Sequence, residues 1–192
     1  MKRFLSRMAV VAPAALFVAL TLPLAAQQPG PRKPPASPPE VATGTIGGQQ
    51  VTITYNSPRV KGREGQIFGP GGLIQKTHKE YPVWRAGANG ATTLTTQGDL
   101  KIGDLSVPKG TYTLFVDIQN PDEWTLIVSK KTGEWGLAYD ASADLGRVKM
   151  EMSKPPQMVE NLTWSINANG NSGTINLAWE NHSASVPVQA AQ

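Results

Sequence analysis

The 192-residue chain has no cysteine and only two histidines. Without cysteine it can form no disulfide, thiolate nucleophile, Cys-ligated zinc site or iron–sulfur cluster. His78 and His182 stand far apart, with no His-x-His or His-Glu-x-x-His spacing, so a catalytic zinc site has no support. Their polar settings, Lys76-Thr77-His78-Lys79-Glu80 and Asn181-His182-Ser183, predict solvated imidazoles, the second in a turn. No Asp-x-Asp-x-Asp-Gly calcium loop is present, and Gly-x-Ser-x-Gly is absent, which removes the serine elbow of an α/β hydrolase. Gly69-Pro70-Gly71-Gly72 has the composition of a phosphate-cradling loop, but no Gly-Lys-Ser/Thr follows, so it reads as a turn or hinge. No cofactor is expected.

One-sided charge is also missing once the N-terminus is set apart. Residues 1–26 begin Met1-Lys2-Arg3, run apolar from Met8 to Leu24 and end Ala25-Ala26, the pattern of a cleaved export signal. Pro13 and Pro23 and the small-residue end favour cleavage over a retained anchor, and no cysteine is available for lipidation. The signal carries Lys2, Arg3 and Arg7 and no acid, leaving 15 basic against 14 acidic residues in the mature chain. Bulk electrostatics therefore gives no basis for nucleic-acid binding. The expectation is an exported protein, periplasmic or extracellular, with no transmembrane span after cleavage.

Gln27 to Glu40 holds six prolines in fourteen residues and predicts an extended spacer without sheet or helix. Fully polyproline II, it would reach about 43 Å at ~3.1 Å per residue. The folded domain is expected from Val41 to Val188, with a short tail over residues 189–192.

Within that span the apolar period is two, the signature of strands with one buried face. Val51, Ile53 and Tyr55 alternate with threonines; Tyr112, Leu114, Val116 and Ile118 share a face, as do Trp124, Leu126 and Val128. Val148, Met150 and Met152, then Leu162, Trp164 and Ile166, then Ile175, Leu177 and Trp179 repeat the pattern. Turns at Gly47-Gly48, Gly103-Asp104, Pro108-Lys109-Gly110, Asn120-Pro121 and Asn169 to Gly173 keep the links short, which favours antiparallel neighbours. No amphipathic helix is long enough for a parallel crossover, and no fixed-period repeat is visible. The fold class predicted is an all-β antiparallel sandwich, Greek-key or jelly-roll-like, of about eight to ten strands, with one long Gly- and charge-rich loop from Ser57 to Tyr81. A loop of that length is either functional or a passive insertion.

The motifs Pro58-Arg59-Val60-Lys61-Gly62-Arg63, Ile67-Phe68-Gly69 and Val83-Trp84-Arg85-Ala86-Gly87-Ala88-Asn89 are where a family likeness lies. With Leu105 to Phe115, Glu123 to Ile127, Trp135-Gly136, Tyr139-Asp140, Arg147-Val148 and Leu177 to Glu180, they resemble DUF2911, a bacterial secreted family of unknown function. The resemblance spans nearly all of Val51 to Val188 and implies no particular chemistry. Where that family typically reads Ala-Asn-Glu-Ala-Thr, this chain has Ala88-Asn89-Gly90-Ala91-Thr92 and lacks the acid. The stretch from Pro70 to Pro82 also looks divergent or extended.

Lys61, Arg63 and Arg85, beside Trp84 and Asn89, are the candidate ligand-binding residues. Guanidinium forks grip carboxylate or phosphate, an amide completes the hydrogen bonding and an indole covers a ring. The alternative is structural, with Arg85 paired to Asp140 or Asp144 and Trp84 in the core. Asp140 with Asp144, or Asp122 with Glu123, are the acid pairs a glycoside hydrolase would need, although any β domain holds such pairs by chance. Trp124, Trp164 and Trp179 read as core, and Trp135 as the exposed ring. Three functions stay open: a non-catalytic envelope domain binding an anionic or saccharide ligand, a metal-free carboxylate hydrolase of envelope glycans, and a structural domain assembling with another envelope protein.

Overall fold

Alternation along the strands dictates two layers, and the computed structural model has them, describing residues 35–136 and 138–191. The export signal and the first part of the spacer lie outside the described residues. Among these residues no helix is long and apolar enough to cross a membrane.

One sheet is built from β1 (Pro39–Ile46), β2 (Gln49–Asn56), β4 (Thr92–Thr96), β7 (Gly110–Asn120), β8 (Glu123–Ser129) and β9 (Asp144–Lys149), in that order, with β3 (Val83–Trp84) also paired to β7. The other runs β11 (Val159–Asn169), β12 (Ser172–Glu180), β13 (His182–Ala190), β5 (Leu100–Ile102) and β6 (Leu105–Val107), with β10 (Glu151–Ser153) paired to β13. All pairings are antiparallel. The chain is thus an all-β antiparallel sandwich. Its described strands number thirteen, more than the periodicity counts, because β3, β5, β6 and β10 are only two or three residues long and too short to show a period.

The inward faces are those that alternation marks. Val51, Ile53 and Tyr55 of β2, Leu114 and Val116 of β7, Trp124, Leu126 and Val128 of β8, Leu162 and Trp164 of β11, and Ile175, Leu177 and Trp179 of β12 are all buried in one core. Each such side chain removed from water contributes roughly 1.5–3 kcal/mol. β7 and β8 are buried on both faces, since Phe115 and Ile127 point outward beneath Val83 and Tyr139 in a small second cluster.

Two boundaries differ from the sequence expectation. The spacer was expected to hold no sheet up to Glu40, yet Pro39 and Glu40 open β1; this is an edge strand, where a residue without an N–H is tolerated. At the other end Gln189 and Ala190 belong to β13, because β5 pairs with them through Lys101 and Leu100.

The stretch from Ser57 to Tyr81 is ordered by its own apolar anchors. Val60, Ile67 and Ile74 are fully or almost fully buried in the main core, and Phe68 packs on it. A short helix, α1 (Leu73–Thr77), follows the glycine turn, and Leu73 and Ile74 donate backbone hydrogen bonds to Gln66 and Ile67. Gly69 and Gly71 have φ of +78° and +74°, and a Cβ on Gly72 would lie 2.7 Å from the carbonyl oxygens of Ile67 and Phe68. That close approach, rather than a phosphate, accounts for the glycines.

Candidate functional site

Loop anchoring opens a cleft at the side of the core. Ser57 to Tyr81 passes over an aromatic floor in which Trp84 stacks on Trp179 (centroids 5.9 Å apart, planes 20° apart) while Phe68 meets Trp84 edge-on at 5.7 Å. Beside it lies a hollow of about 560 Å³ lined by residues of the spacer, the long loop, α1, β3 and the Arg85–Ala88 turn. That volume suits a small-molecule site, which typically measures ~300–1,000 Å³.

Four of the five candidate residues, Lys61, Arg63, Trp84 and Arg85, line this hollow, and Arg59 joins them. The fifth, Asn89, is not in the wall. It holds the wall in place: its backbone oxygen accepts from Arg85 Nη1 at 2.8 Å, and its side-chain amide donates to the Ser37 carbonyl at 3.4 Å. Trp84 is 1% exposed, so it is floor rather than a stacking face. No Asp or Glu is among the lining residues.

Arg85 is the centre of the site. The turn that carries it is held by hydrogen bonds to the Ala86 carbonyl from Trp164 Nε1 (2.9 Å) and Thr92 Oγ1 (3.2 Å). Ala86 and Asn89 both have positive φ, 48° and 56°, a region that costs a non-glycine residue free energy and that tends to mark functional turns. Gly136 backs the guanidinium stem, since a Cβ there would lie 2.7 Å from Arg85 Cδ.

Arg85 finds no carboxylate within ion-pair distance among the described residues, although its charge is half-buried. The two acids that the structural alternative offers it are engaged elsewhere: Asp144 with Arg147 and Tyr139, and Asp140 with Lys131 and Ser142. Arg85 Nε is buried without a hydrogen-bond partner, and burial pulls the guanidinium below its usual pKa. At Gly90, the place of the missing acid, a Cβ would meet nothing nearer than Asn56 Oδ1 at 4.0 Å, so there is room for the acid but none is present.

The other cations are arranged by the loop. Arg63 donates from Nε to the Val60 carbonyl (2.9 Å) and from Nη2 to the Arg59 carbonyl (2.6 Å), which fixes its fork. Lys61 adopts φ +49°, its backbone N–H donates to Glu160 Oε1 at 3.0 Å, and the residue is exposed.

His78 is not the solvated loop imidazole that its neighbours suggest. It caps the end of α1, is 8% exposed, and its Nδ1 lies 3.2 Å from the Ile74 carbonyl and 3.0 Å from Thr77 Oγ1. A carbonyl can only accept, so Nδ1 carries the proton and Nε2, buried and unpartnered, is the bare nitrogen. Burial first, and the Arg85 charge second, lower its pKa to about 4. His182 is likewise packed rather than solvated, stacked on Trp124 at 5.5 Å and 4.5 Å from the Phe68 ring, 3.4 Å from Glu180, with its pKa lowered by burial. In both cases tertiary contacts with distant aromatics or helix carbonyls override local polarity.

The remaining candidates sit apart from the hollow. Trp135 is 65% exposed, between β8 and β9. Glu123 pairs with Lys149 at 3.0 Å, and the Asp122 backbone N–H donates to Asn120 Oδ1 in a turn. Among the described residues no three His, Asp or Glu converge to hold a metal ion. Sequence reasoning missed Ser37, Thr77, His78 and Trp179 as lining residues; only the fold brings the spacer and α1 to the same place.

Comparison with known proteins is sparse. The model of a family described as a protein of unknown function, DUF2911, matches residues 37–188. Neither a curated protein nor a solved structure matches the chain.

Proposed function

The chain belongs to the DUF2911 family, and we propose that it is a non-catalytic binding domain whose cleft takes an anionic ligand, a carboxylate or an acidic saccharide. The supporting observation is the state of Arg85: half-buried, with a buried Nε and no counter-charge among the described residues. A buried charge is costly unless paired, and a bound anion would supply the missing partner. Arg59, Lys61 and Arg63 add positive potential in the same hollow, which no acid lines; the carboxylate of Glu160 lies outside it, accepting from the Lys61 backbone. The export-signal pattern of residues 1–26 supports an exported, periplasmic or extracellular setting for this binding.

The hydrolase reading has less to support it. Its acid pair would have to face a sugar across a cleft, whereas Asp144 is tied to Arg147 and Tyr139, and Asp140 is tied to Ser142. An assembly role would draw on the sheet-edge strands β1, β9, β11 and β6 and, among the described residues, on the exposed side chains Val41, Trp135 and Met158.

Titration calorimetry of the purified protein with galacturonate and with inorganic phosphate tests the proposal. A charge-assisted hydrogen bond contributes about 1.5–3 kcal/mol, so Arg85→Ala should weaken binding roughly 10- to 100-fold with the circular dichroism unchanged. Equal affinity of variant and parent, or no heat from either anion, would remove the proposal.

A further inference from the structure

The hollow does not end at Arg63. A second one, about 250 Å³, lies on the other side and shares Arg63 and Leu73 with the first. Its wall includes Gln66, Phe68 and Lys76 and the Pro70-Gly71-Gly72 turn. Resting on the anion reading of the first hollow, we propose that the two form one groove for an acidic oligosaccharide of two or more units, with successive carboxylates meeting Arg85, Arg63 and Lys76.

Three observations carry this. Each compartment has its own cation, Arg85 in the first and Lys76 in the second, and neither has an ion-pair partner among the described residues. The guanidinium between them is held by the carbonyls of Val60 and Arg59, so it stands ready at the junction at little further entropic cost. The rest of the lining alternates in kind: Ser37, Thr77 and Gln66 offer neutral hydrogen-bonding groups, while Leu73 at the junction and Phe68 beyond it offer apolar surface. A sugar ring presents that combination, with hydroxyls at its edge and C–H groups on its face. An acidic peptide fits less well, because loops and α1 supply the walls, and the two strands that contribute do so through the indoles of Trp84 and Trp179. No row of unpaired strand amides is offered to a peptide backbone.

Calorimetry with mono-, di- and tetragalacturonate, and with a matching glucuronate-containing series, tests the groove. Tetramer should bind at least ~10-fold more tightly than monomer in one series, beyond the roughly fourfold that four equivalent units give by statistics alone. Lys76→Ala should bring the tetramer back to within that statistical factor of the monomer's affinity and leave the monomer's unchanged, whereas Arg85→Ala weakens every member. Lys76 is exposed, so its loss leaves the fold intact. Monomer and tetramer binding alike, or a tetramer indifferent to Lys76→Ala, would overturn the groove while leaving the single-anion site standing. Binding of a tetraglutamate peptide with neither saccharide series bound would overturn the saccharide assignment. Silence from every anion would overturn the groove and the anion reading together.

Discussion

Arg147, on β9, and Arg85, just after β3, show what the chain does with a partly buried guanidinium. Around Arg147 the protein supplies every partner: Asp144 at 3.1 Å, Asp117 at 3.5 Å, the Tyr139 hydroxyl and the face of its ring. Burial draws the Arg147 pKa down, but Asp144 and Tyr139 together hold it above its usual value. Burial and the Asp144 hydrogen bond in turn push Tyr139 up to about 12. Around Arg85 the same fold supplies one carbonyl oxygen and no carboxylate among the described residues, and burial acts unopposed. The difference separates a charge that staples a loop to a sheet from a charge left for something outside the chain.

The largest effect that would sharpen this contrast comes from pH. A protonated His78 would place a second uncompensated cation near Arg85, and the fold resists it: the folded pKa is about 4 against 6.5 for an ordinary histidine. The folded state therefore binds fewer protons than the unfolded state between those values, so the stabilisation is complete above about pH 6.5 and is lost as the pH falls towards 4. One pKa unit is ~1.4 kcal/mol, which makes the loss on the order of 3 kcal/mol. Urea unfolding at pH 7.5 and pH 4.5 should show most of it, and His78→Gln should flatten that part of the slope. Burial lowers the His182 pKa as well and adds a slope of the same sign, so the parent-minus-variant difference is the reading that matters. A His78→Gln slope identical to the parent's would mean that the cleft tolerates the extra charge, and the contrast with Arg147 would weaken.

Much of this was legible before any coordinates, and for a definable reason. Period-two runs such as Leu162-Trp164-Ile166 carry their own geometry, so the buried faces follow from the chain alone. Lys61, Arg63, Trp84 and Arg85 stand out by residue type, but that they line one hollow depends on the loop being pinned to the core by Val60, Ile67 and Ile74. What local pattern cannot encode is contact at a distance. His78 looks solvated until Ile74 anchors α1 to the core, and Trp179 looks like core alone until the Trp84 stack makes it cleft floor. Asn89 was legible as a polar neighbour, but its role as a bracket needs Ser37 of the spacer.

A smaller effect comes from the residue behind Arg85. Gly136 has an ordinary φ, so alanine is conformationally allowed there, but its Cβ would also lie 2.9 Å from the Gly90 carbonyl oxygen and 3.1 Å from Ala91 Cα. Arg85 can swing aside; the Gly90 backbone cannot do so cheaply. Overpacking of this kind costs roughly 1–3 kcal/mol. Gly136→Ala should therefore lose about 2 kcal/mol in chemical denaturation and weaken galacturonate binding, because the guanidinium is displaced. Weakened stability with binding intact would show that Arg85 does not depend on that wall.

The smallest expected change in stability is the one that decides the comparison. Arg147→Ala removes a partly exposed network and should cost about 1 kcal/mol, in the range of surface ion pairs. Arg85→Met keeps the aliphatic stem against Gly136, gives up the hydrogen bond to Asn89 and removes a half-buried charge with no counter-ion. The lost bond contributes about 1 kcal/mol and the relieved desolvation offsets it, so the variant should stay within ~0.5 kcal/mol of the parent or rise above it. Residues kept for binding rather than for folding commonly behave in this way. Urea midpoints measured side by side at pH 7.5 give the answer. If Arg85→Met falls by 2 kcal/mol or more while Arg147→Ala does not, the guanidinium in the cleft is a structural member after all, and the basis for placing an anion beside it is gone.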